Sequence, residues 1–155
     1  MVKKKVTIAI AIASDHAGYK YKEQIKAFLS AKGYGIKDFG THSEEPMDYP
    51  LTIKPAAEAV SAGTCDLGIV LGGSGNGEAM VANKIKGIRC AVCWNPKSAR
   101  LAKEHNNANI ISLGQRMMSI ATVYKIIDTW LLSTFTGERH ARRIAQIENI
   151  EKASP

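Results

Sequence analysis

Short apolar segments rich in β-branched residues alternate with segments of helical periodicity along the chain. The first of them, Val6 to Ala13, is apolar except for Thr7, as expected of a parallel strand that is covered on both faces. In the next segment, Lys20 to Ala31, apolar residues recur with the period of a helix, and Gly33 ends the pattern. Strands that alternate with helices predict an open parallel sheet with helices on both faces.

The remaining segments continue this alternation. The predicted strands cover residues 6–13, 34–39, 66–71, 88–93 and 109–113, and the predicted helices cover residues 20–31, 51–62, 78–85, 96–105, 119–132 and 138–152. A chain of 155 residues suits one domain, and we expect residues 1–155 to form it. In such a sheet ligands bind beyond the carboxyl ends of the strands. The loops that follow the strands are therefore the place to look for a site.

The chain carries a formal net charge of +7. This charge is compatible with nucleic-acid binding, but the basic residues are spread along the chain except at Lys3–Lys5 and Arg139–Arg143. A small anionic substrate explains the second cluster equally well. Because aromatic residues are not interleaved with the basic ones, as binding of single strands would favour, we expect no nucleic-acid partner.

The sequence also bears on the compartment and on metals. No apolar run approaches the roughly 20 residues that span a membrane, and we expect no membrane partner. Lys3–Lys5 and Val6–Ala13 together resemble a secretory signal, but the run is short, lacks leucine and ends in the polar Ser14–His16, which favours a buried strand.

Cys90 and Cys93 should face opposite sides of a strand, which disfavours a zinc site. We expect buried, reduced cysteines, no metal and a cytoplasmic protein.

The most informative motif is a glycine-rich loop, GGSGNG, at residues Gly72–Gly77. A loop between a strand and a helix presents backbone N–H groups to an anion. A P-loop requires Lys and then Ser or Thr after the last glycine, and a dinucleotide-binding loop requires a glycine at its sixth position. Glu78 stands where a P-loop has its lysine and where a dinucleotide-binding loop that starts at Gly73 has its last glycine. Neither kind of nucleotide-binding loop therefore fits this sequence.

Glu78 itself has two interpretations. A glutamate in the first turn of a helix is favoured by the helix dipole and is common there. Alternatively, a carboxylate beside a cradle of N–H donors can take a proton from carbon while the donors hold the developing enediolate oxygen. Ser74 is able to add one more donor. Proton abstraction next to a carbonyl needs such a base and such donors, so Glu78 is the candidate base.

Other polar residues lie at the ends of predicted elements. Asp15 and His16 follow the first strand, where they either cap the next helix or belong to a site; the neighbouring third strand would bring the glycine loop close and favours the site. His105 ends a helix, where the dipole alone can stabilise it. Arg116 follows the fifth strand, although lone arginines on loops are usually solvated.

A basic cluster surrounds the start of the last predicted helix and contains Arg139, His140, Arg142 and Arg143. Arg139 and Arg143 are four residues apart and can point the same way. Cations at a helix start oppose the dipole, which suggests a bound anion, and paired guanidiniums suit phosphate. A solvated helix face explains the cluster equally well.

Together these segments resemble the type B ribose-5-phosphate isomerase family, which also includes subunits of galactose-6-phosphate isomerase. The resemblance covers nearly the whole chain and is carried by Ser14–Gly18, Asp38–Thr41, Asp48–Pro50, Gly68–Glu78, Ala82–Lys84, Gly87–Arg89, Glu104–Asn109, Gly114–Arg116 and Arg139–His140. It implies a Rossmann-like three-layer αβα sandwich with a five-stranded parallel sheet, no metal or other cofactor, and a homodimer with active sites at the subunit interface. A tetramer is the alternative assembly, because the sequence does not distinguish the two. The helix over 138–152 would reach a partner subunit.

The resemblance also implies roles for individual residues. Many family members have a cysteine base at the end of the third strand, where this chain has Gly72; another branch has a glutamate after the glycine loop, which Glu78 matches. The cysteines are then not catalytic. Ser74 and the loop amides of Gly73, Gly75, Asn76 and Gly77, with Asn106 nearby, would hold the enediolate; Asp15, His105 or His140 would assist ring opening; and His16, Arg116, Arg139 and Arg143 would bind phosphate.

The predicted function is the interconversion of D-ribose 5-phosphate and D-ribulose 5-phosphate through an enediolate. A hexose 6-phosphate or a tetrose phosphate is an alternative substrate, because one carbon is a weak basis for discrimination. A non-catalytic sugar-phosphate sensor on the same fold is a hypothesis of another class. Glu78 disfavours it, because an anion sensor gains nothing from a carboxylate beside its phosphate cradle.

Overall fold

The computed structural model describes residues 7–154, so Lys3–Lys5 and Val6 lie outside it. Over these residues strands and helices alternate as predicted. Their bounds are β1 (Ala9–Ser14), α1 (Tyr19–Ala31), β2 (Gly35–Asp38), α2 (Pro50–Ser61), β3 (Leu67–Gly72), α3 (Asn76–Ala82), β4 (Cys90–Val92), α4 (Pro96–Asn106), β5 (Ile110–Gly114), α5 (Ile120–Leu132) and α6 (Arg139–Ala153).

The strands form one sheet in the order β2-β1-β3-β5-β4, and every neighbouring pair is parallel. In register, Ile10 of β1 lies beside Ile36 of β2 and Leu67 of β3. The chain passes from β1 outward to β2 and then returns across β1 to β3, so the strand order reverses between β1 and β3. This reversal opens a crevice at the carboxyl ends of these two strands.

Helices cover both faces of the sheet, which confirms the three-layer αβα sandwich. One core lies between the sheet and α1, α4 and α5, and the other lies between the sheet and α2 and α3. Strand β1 contributes Ile10 and Ile12 to the first core and Ala11 and Ala13 to the second, as the period of two along a strand requires. Crossovers that run in opposite directions along the sheet lie on opposite faces, as right-handed connections must.

Helix α5 buries one apolar face in the first core. Val123, Ile126, Ile127 and Trp130 are almost completely buried. The indole N–H of Trp130 donates a hydrogen bond of 3.2 Å to the carbonyl of Ala108, which satisfies the one polar group of this large core side chain.

Strand β4 covers Cys90–Val92 and is shorter than the predicted range of 88–93. At its start a side chain replaces a ladder hydrogen bond, because the main-chain N–H of Arg89 donates to Oδ1 of Asn109 at 2.8 Å. Along its free edge, the amide of Asn83 accepts from the N–H of Cys90 and donates to its carbonyl, at 2.8 and 2.9 Å.

Helix α3 also departs from its predicted bounds of 78–85. It begins at Asn76, directly after Gly75 in a left-handed conformation with φ of 84°, and it ends at Ala82. The next residues form a tighter turn, in which the N–H groups of Lys84 and Ile85 bond to carbonyls three residues earlier.

The three cysteines are free thiols, and Cys90 and Cys93 face opposite cores, as predicted. Burial raises the pKa of the Cys93 thiol to about 12, and burial is also the main cause that raises the pKa of Cys90. Both thiols therefore stay protonated at neutral pH. None of the helices within residues 7–154 is long and apolar enough to cross a membrane.

Candidate active site

A cavity of about 470 Å³ lies at the carboxyl ends of β1 and β3, where the strand order reverses. It is lined by residues from four loops and helix starts: Asp15, His16, Ala17, Tyr49, Gly73, Ser74, Gly77, Glu78, Arg116 and Met117. Seven of these were predicted as site residues. We call Asp15, His16, Ser74, Glu78 and Arg116 the strand-end cluster.

The glycine loop is fixed against the neighbouring strand β5. The hydroxyl of Ser112 donates to the carbonyl of Gly75 at 2.6 Å, and the N–H of Gln115 donates to the carbonyl of Gly72 at 2.9 Å. A β-carbon on Gly114 would lie 2.6 Å from the carbonyl oxygen of Ser74, so only glycine allows this close approach. The carbonyls of the loop are thus bonded to residues of and after β5, and its N–H groups lie on the side of the loop that faces away from β5.

Those N–H groups are available to a ligand. Within residues 7–154 the N–H groups of Gly73, Ser74 and Gly75 donate no hydrogen bond, whereas that of Asn76 reaches the Ser74 hydroxyl at 3.3 Å. Unpaired donors at the start of a helix favour an anionic partner. Gly75 and Asn76 do not line the cavity, however: Gly75 is buried against β5, and Asn76 faces a neighbouring depression.

Glu78 lies in the first turn of α3 and is only 4 % exposed. Its carboxylate occupies the space beside Gly72, where any β-carbon would overlap both carboxylate oxygens. Burial raises the pKa of Glu78, the hydrogen bond from its own N–H opposes this, and the negative charge of Asp15 raises it further. A carboxylate whose proton affinity is increased beside a cavity is suited to proton transfer.

Asp15 and His16 form the loop between β1 and α1. Asp15 is 8 % exposed, and its Oδ1 accepts a hydrogen bond of 3.0 Å from the N–H of Gly18, the N-cap residue of α1. This bond fixes the turn before α1, but no side chain within residues 7–154 caps the helix itself, and Asp15 also lines the cavity. Nδ1 of His16 accepts a hydrogen bond of 3.2 Å from the N–H of Met47. The neutral imidazole therefore carries its proton on Nε2.

Arg116 lies across the glycine loop. Its N–H donates to the carbonyl of Gly73 at 3.0 Å, and a β-carbon on Gly73 would lie 3.2 Å from its guanidinium. Tyr49 is a lining residue that the sequence analysis did not assign; its ring lies so close to Gly77 that a β-carbon there would be 2.6 Å away. Tyr49 could have been predicted, because it lies after the loop that follows β2 and therefore at the same edge of the sheet as the site.

The remaining predicted site residues lie elsewhere in this chain. We call His105, Asn106, Arg139, His140 and Arg143 the helix-end cluster, because they lie at the end of α4 and the start of α6. The rings of His105 and His140 stack with centroids 4.2 Å apart and an angle of 9° between their planes. Burial and the nearby charges of His105, Arg139 and Arg143 lower the pKa of His140. None of these residues lines the cavity at β1 and β3.

A second, larger groove lies beside the helix-end cluster. It has a volume of about 750 Å³, is bordered by residues of and around β4 and by α6, and includes Asn106. Ile147 and Ile150 of α6 project into it and are 47 % and 70 % exposed. Large exposed apolar side chains beside a groove are typical of an interaction surface.

Among residues 7–154 no group of three or more His, Cys, Asp or Glu side chains is placed to hold a metal ion. The polar groups of the cavity are two carboxylates, an imidazole, a guanidinium, hydroxyls and backbone amides.

The family model of Ribose/Galactose Isomerase matches residues 10–147. The chain belongs to the ribose/galactose isomerase family. Within this family it is 42% identical to ribose-5-phosphate isomerase B of Mycolicibacterium paratuberculosis over 151 residues, which cover 94% of this chain and 95% of that protein. The structure of the Clostridium thermocellum ribose-5-phosphate isomerase B matches with a TM-score of 0.93 at 49% identity and covers 94% of this chain and 98% of that one.

A third similar protein has a structure with a bound sugar phosphate. The structure of ribose-5-phosphate isomerase B from Mycoplasma genitalium, solved with bound ribulose-5-phosphate, matches with a TM-score of 0.91 at 38% identity and covers 95% of this chain and 98% of that one. The family and the fold predicted from the sequence are thus confirmed.

Proposed function

We propose that this member of the ribose/galactose isomerase family is a ribose-5-phosphate isomerase of type B, formed by one domain, that interconverts D-ribose 5-phosphate and D-ribulose 5-phosphate. Relatives that carry this name match over almost the entire chain. The observation that carries the proposal is the buried carboxylate of Glu78, with its raised pKa, beside a loop with unpaired N–H donors.

In the proposed reaction Glu78 is the base. From the open-chain aldose it removes the proton of C2, the C–H electrons form the C1–C2 double bond, and the aldehyde oxygen becomes an alkoxide. The N–H groups of Gly73 and Ser74 and the Ser74 hydroxyl hold this enediolate oxygen. The O2 proton then moves to O1, and the carboxylic acid of Glu78 returns its proton to C1, which leaves a ketone at C2.

The raised pKa of Glu78 suits both halves of this cycle. A stronger base takes the carbon-bound proton more readily, and the protonated form must persist long enough to return it. Burial, the main cause of the shift, also keeps water away from the enediolate. Because each step falls to a side chain or an amide of the chain, we propose a reaction without metal or other cofactor.

The assignment to the glutamate branch rests on the space at the end of β3. A β-carbon at position 72 would overlap the Glu78 carboxylate, so a cysteine at that position and Glu78 in its present position exclude each other. The thiols of Cys90 and Cys93 have raised pKa values and do not line the cavity. These facts support Glu78, and not a thiolate, as the base.

For the phosphate we propose His16, through Nε2–H, and Arg116 from one subunit, with Arg139 and Arg143 from a second copy. We assign ring opening to Asp15, His105 or His140, and place Asn106 near the enediolate. The support for a homodimer is the separation of the two clusters within one chain, together with the exposed Ile147 and Ile150 beside the groove. A second copy would bring its helix-end cluster to the strand-end cluster of the first.

We further propose a cytoplasmic location, which three unpaired thiols within residues 7–154 support because secreted proteins usually oxidise theirs. We propose no nucleic-acid partner, since aromatic residues are not interleaved with the basic ones.

The deciding experiment is isomerisation of D-ribose 5-phosphate by the purified protein with a chelator present. We expect turnover by the unchanged protein and a fall of about 10³-fold in kcat for Glu78→Gln, the usual size of a general-base contribution. Binding of the sugar phosphate, measured by calorimetry, should persist in this variant. Glu58→Gln is the matched control, because Glu58 is exposed and its one ion pair within residues 7–154 is with Lys54 on α2.

Three other outcomes each lead to a different conclusion. If the unchanged protein is inactive on pentose phosphate, hexose 6-phosphates and tetrose phosphates are assayed next. If it binds sugar phosphates but turns over none of them, the sensor hypothesis replaces the enzyme. Full activity of Glu78→Gln would show that the base has been assigned wrongly.

A further inference from the structure

Lys22 of α1 is buried completely, with 0 % of its surface exposed, and the proposed reaction does not use it. Its ammonium donates to Oδ2 of Asp38 at 2.6 Å and to Glu23 at 2.9 Å. Lys26 reaches the same oxygen of Asp38 at 2.7 Å. An ammonium withdrawn from water is tolerated only when it is paired in this way, so Lys22 fixes the position of the Asp38 carboxylate at the end of β2.

The second oxygen of Asp38 holds the main chain beyond β2. Oδ1 accepts a hydrogen bond of 2.9 Å from the N–H of Gly40. Burial acts to raise the pKa of Asp38, but the hydrogen bonds from Lys22, Lys26 and Gly40 outweigh it and hold the pKa below its usual value. Asp38 is therefore an ionised carboxylate with one oxygen on the lysines and the other on Gly40.

Gly40 in turn holds the end of β1. Its carbonyl accepts from the N–H of Ser14 at 2.7 Å, and the N–H of Thr41 donates to the carbonyl of Ser14 at 2.8 Å. Ser14 directly precedes Asp15. A shift of Gly40 would therefore move the main chain from which both Asp15 and His16 project.

The loop that starts at Gly40 also ends at the site. It continues to Met47, whose N–H donates to Nδ1 of His16. From the other direction, the N–H of Lys22 bonds to the carbonyl of Gly18, and the N–H of Gly18 bonds to Asp15. The Lys22–Asp38 pair thus ties together the helix after the Asp15–His16 segment and the loop that flanks it.

We propose that Asp38, held by the buried ammonium of Lys22, is a positioning residue that sets the place of Asp15 and the tautomer of His16 through Gly40. The roles of Asp15 and His16 in turnover belong to the proposed function, on which this part of the inference rests. The geometric link from Asp38 to His16 does not depend on any reaction.

The test compares two double variants, Lys22→Met/Asp38→Asn and Lys22→Met/Asp38→Leu. Both remove the buried charges together, and replacing a buried ion pair by uncharged groups of similar volume often leaves folding intact. Asparagine and leucine have nearly the same shape, but only asparagine can accept the N–H of Gly40. The pair therefore isolates the hydrogen bond to Gly40 from the loss of the charges.

Two measurements are made on each variant after circular dichroism has shown that it is folded. One is the KM for D-ribose 5-phosphate. The other is the ¹⁵N spectrum of the His16 imidazole, assigned by its absence in His16→Asn. For Lys22→Met/Asp38→Asn we expect the Nε2–H tautomer to persist. For Lys22→Met/Asp38→Leu we expect a mixture of tautomers and a KM about tenfold higher, as for one lost hydrogen bond.

The control is Lys32→Met, at the residue that follows α1, which removes a partly exposed ion pair with Asp128 and should change neither quantity. If the two double variants have the same KM and the same tautomer, the proposal is wrong. If the unchanged protein does not turn over the sugar phosphate, the proposed function fails, but the His16 spectra still decide the positioning role. If the leucine variant does not fold, Lys22→Met/Asp38→Ala decides, because it also removes the acceptor for the N–H of Gly40: a mixture of His16 tautomers supports the proposal, and an unchanged tautomer overturns it.

Discussion

The strand-end cluster and the helix-end cluster were predicted as one site, but they have different surroundings in the chain. In the first, Glu78 and Asp15 are buried, fixed by main-chain contacts and beside unpaired N–H groups. In the second, two stacked imidazoles are flanked by exposed arginines at the ends of helices, beside the larger groove. The first thus combines buried carboxylates with unpaired N–H groups at the strand ends, whereas the second consists of imidazoles, an amide and guanidiniums and has no carboxylate among its members.

Mixing two inactive variants tests whether the two clusters meet across subunits. We expect Glu78→Gln and Arg139→Ala/Arg143→Ala each to be nearly inactive when alone. After both are unfolded and refolded together in equal amounts, hybrid dimers would contain one intact site, and activity should return to about a quarter of the unchanged protein's. The measurement is turnover of D-ribose 5-phosphate before and after mixing. If mixing restores nothing, the two clusters do not form a shared site.

A β-carbon at the end of β3 should disturb the strand-end cluster selectively. In Gly72→Ala the new methyl group overlaps the carboxylate of Glu78, which must move. We expect kcat to fall by about 10- to 100-fold, because a base displaced by an ångström loses its alignment, and the free energy of unfolding to fall by about 1–3 kcal/mol.

Gly35→Ala is the control for that substitution. A β-carbon on Gly35 would lie 3.6 Å from the nearest atom, an ordinary contact, and its backbone conformation is open to any residue. Turnover by this variant should match that of the unchanged protein. An equal loss of activity in both would mean that glycine is required for reasons unrelated to Glu78.

The two clusters should respond to pH in opposite directions. The pKa of Glu78 is raised above the 4.5 of an ordinary glutamate. Because the base must be deprotonated, kcat/KM should fall tenfold per pH unit below that raised pKa. The same shift means that the folded state binds this proton more tightly, so the contribution of Glu78 to stability is lost as pH rises through its raised pKa.

For His140, whose pKa is lowered, the folded state binds the proton less tightly. Its contribution to stability is present above the unfolded value of about 6.5 and is lost as pH falls through the lowered pKa. The free energy of unfolding, measured with urea between pH 4 and pH 8, should therefore decrease less toward acid pH in His140→Phe than in the unchanged protein. An unchanged profile would contradict the assigned direction of the shift.

The smallest expected effect is on the free energy of unfolding and concerns Ser14, which directly precedes Asp15 of the strand-end cluster. The hydroxyl of Ser14 is buried and has no hydrogen-bond partner within the described residues, so Ser14→Ala should leave the free energy of unfolding unchanged or raise it by up to about 1 kcal/mol. Thr52→Val is the contrast, because the hydroxyl of Thr52 donates to the carbonyl of Ser14 at 2.9 Å, and we expect it to lose about 1 kcal/mol. Urea unfolding of both variants checks the pair.

The sequence allowed the strand-end cluster to be predicted because its members directly follow strands, and parallel strands bring their carboxyl ends together. The placement of the helix-end cluster could not be predicted in the same way. It depends on how α6 folds back on α4, which the stacking of His105 on His140 decides and no local pattern encodes.

The burial of Lys22 was missed for a different reason. Lys22 is three residues before Ile25 and seven before Leu29, so it shares the buried face of α1 with them. Tyr21 and Phe28 fit the helical period as well, but they are only partly buried. A lysine on an apolar face, with an aspartate at the end of the next strand, was the available indication of a buried ion pair.

The shared space of Gly72 and Glu78 limits how such a protein can change during evolution. A second reactive side chain at the end of β3 would push the carboxylate of Glu78 out of its present place, because the two would occupy the same volume. The effect of a mutation at one position therefore depends on the residue at the other. A lineage that gains a base at position 72 displaces the one at position 78 in the same step, so sequences that keep both side chains should be rare.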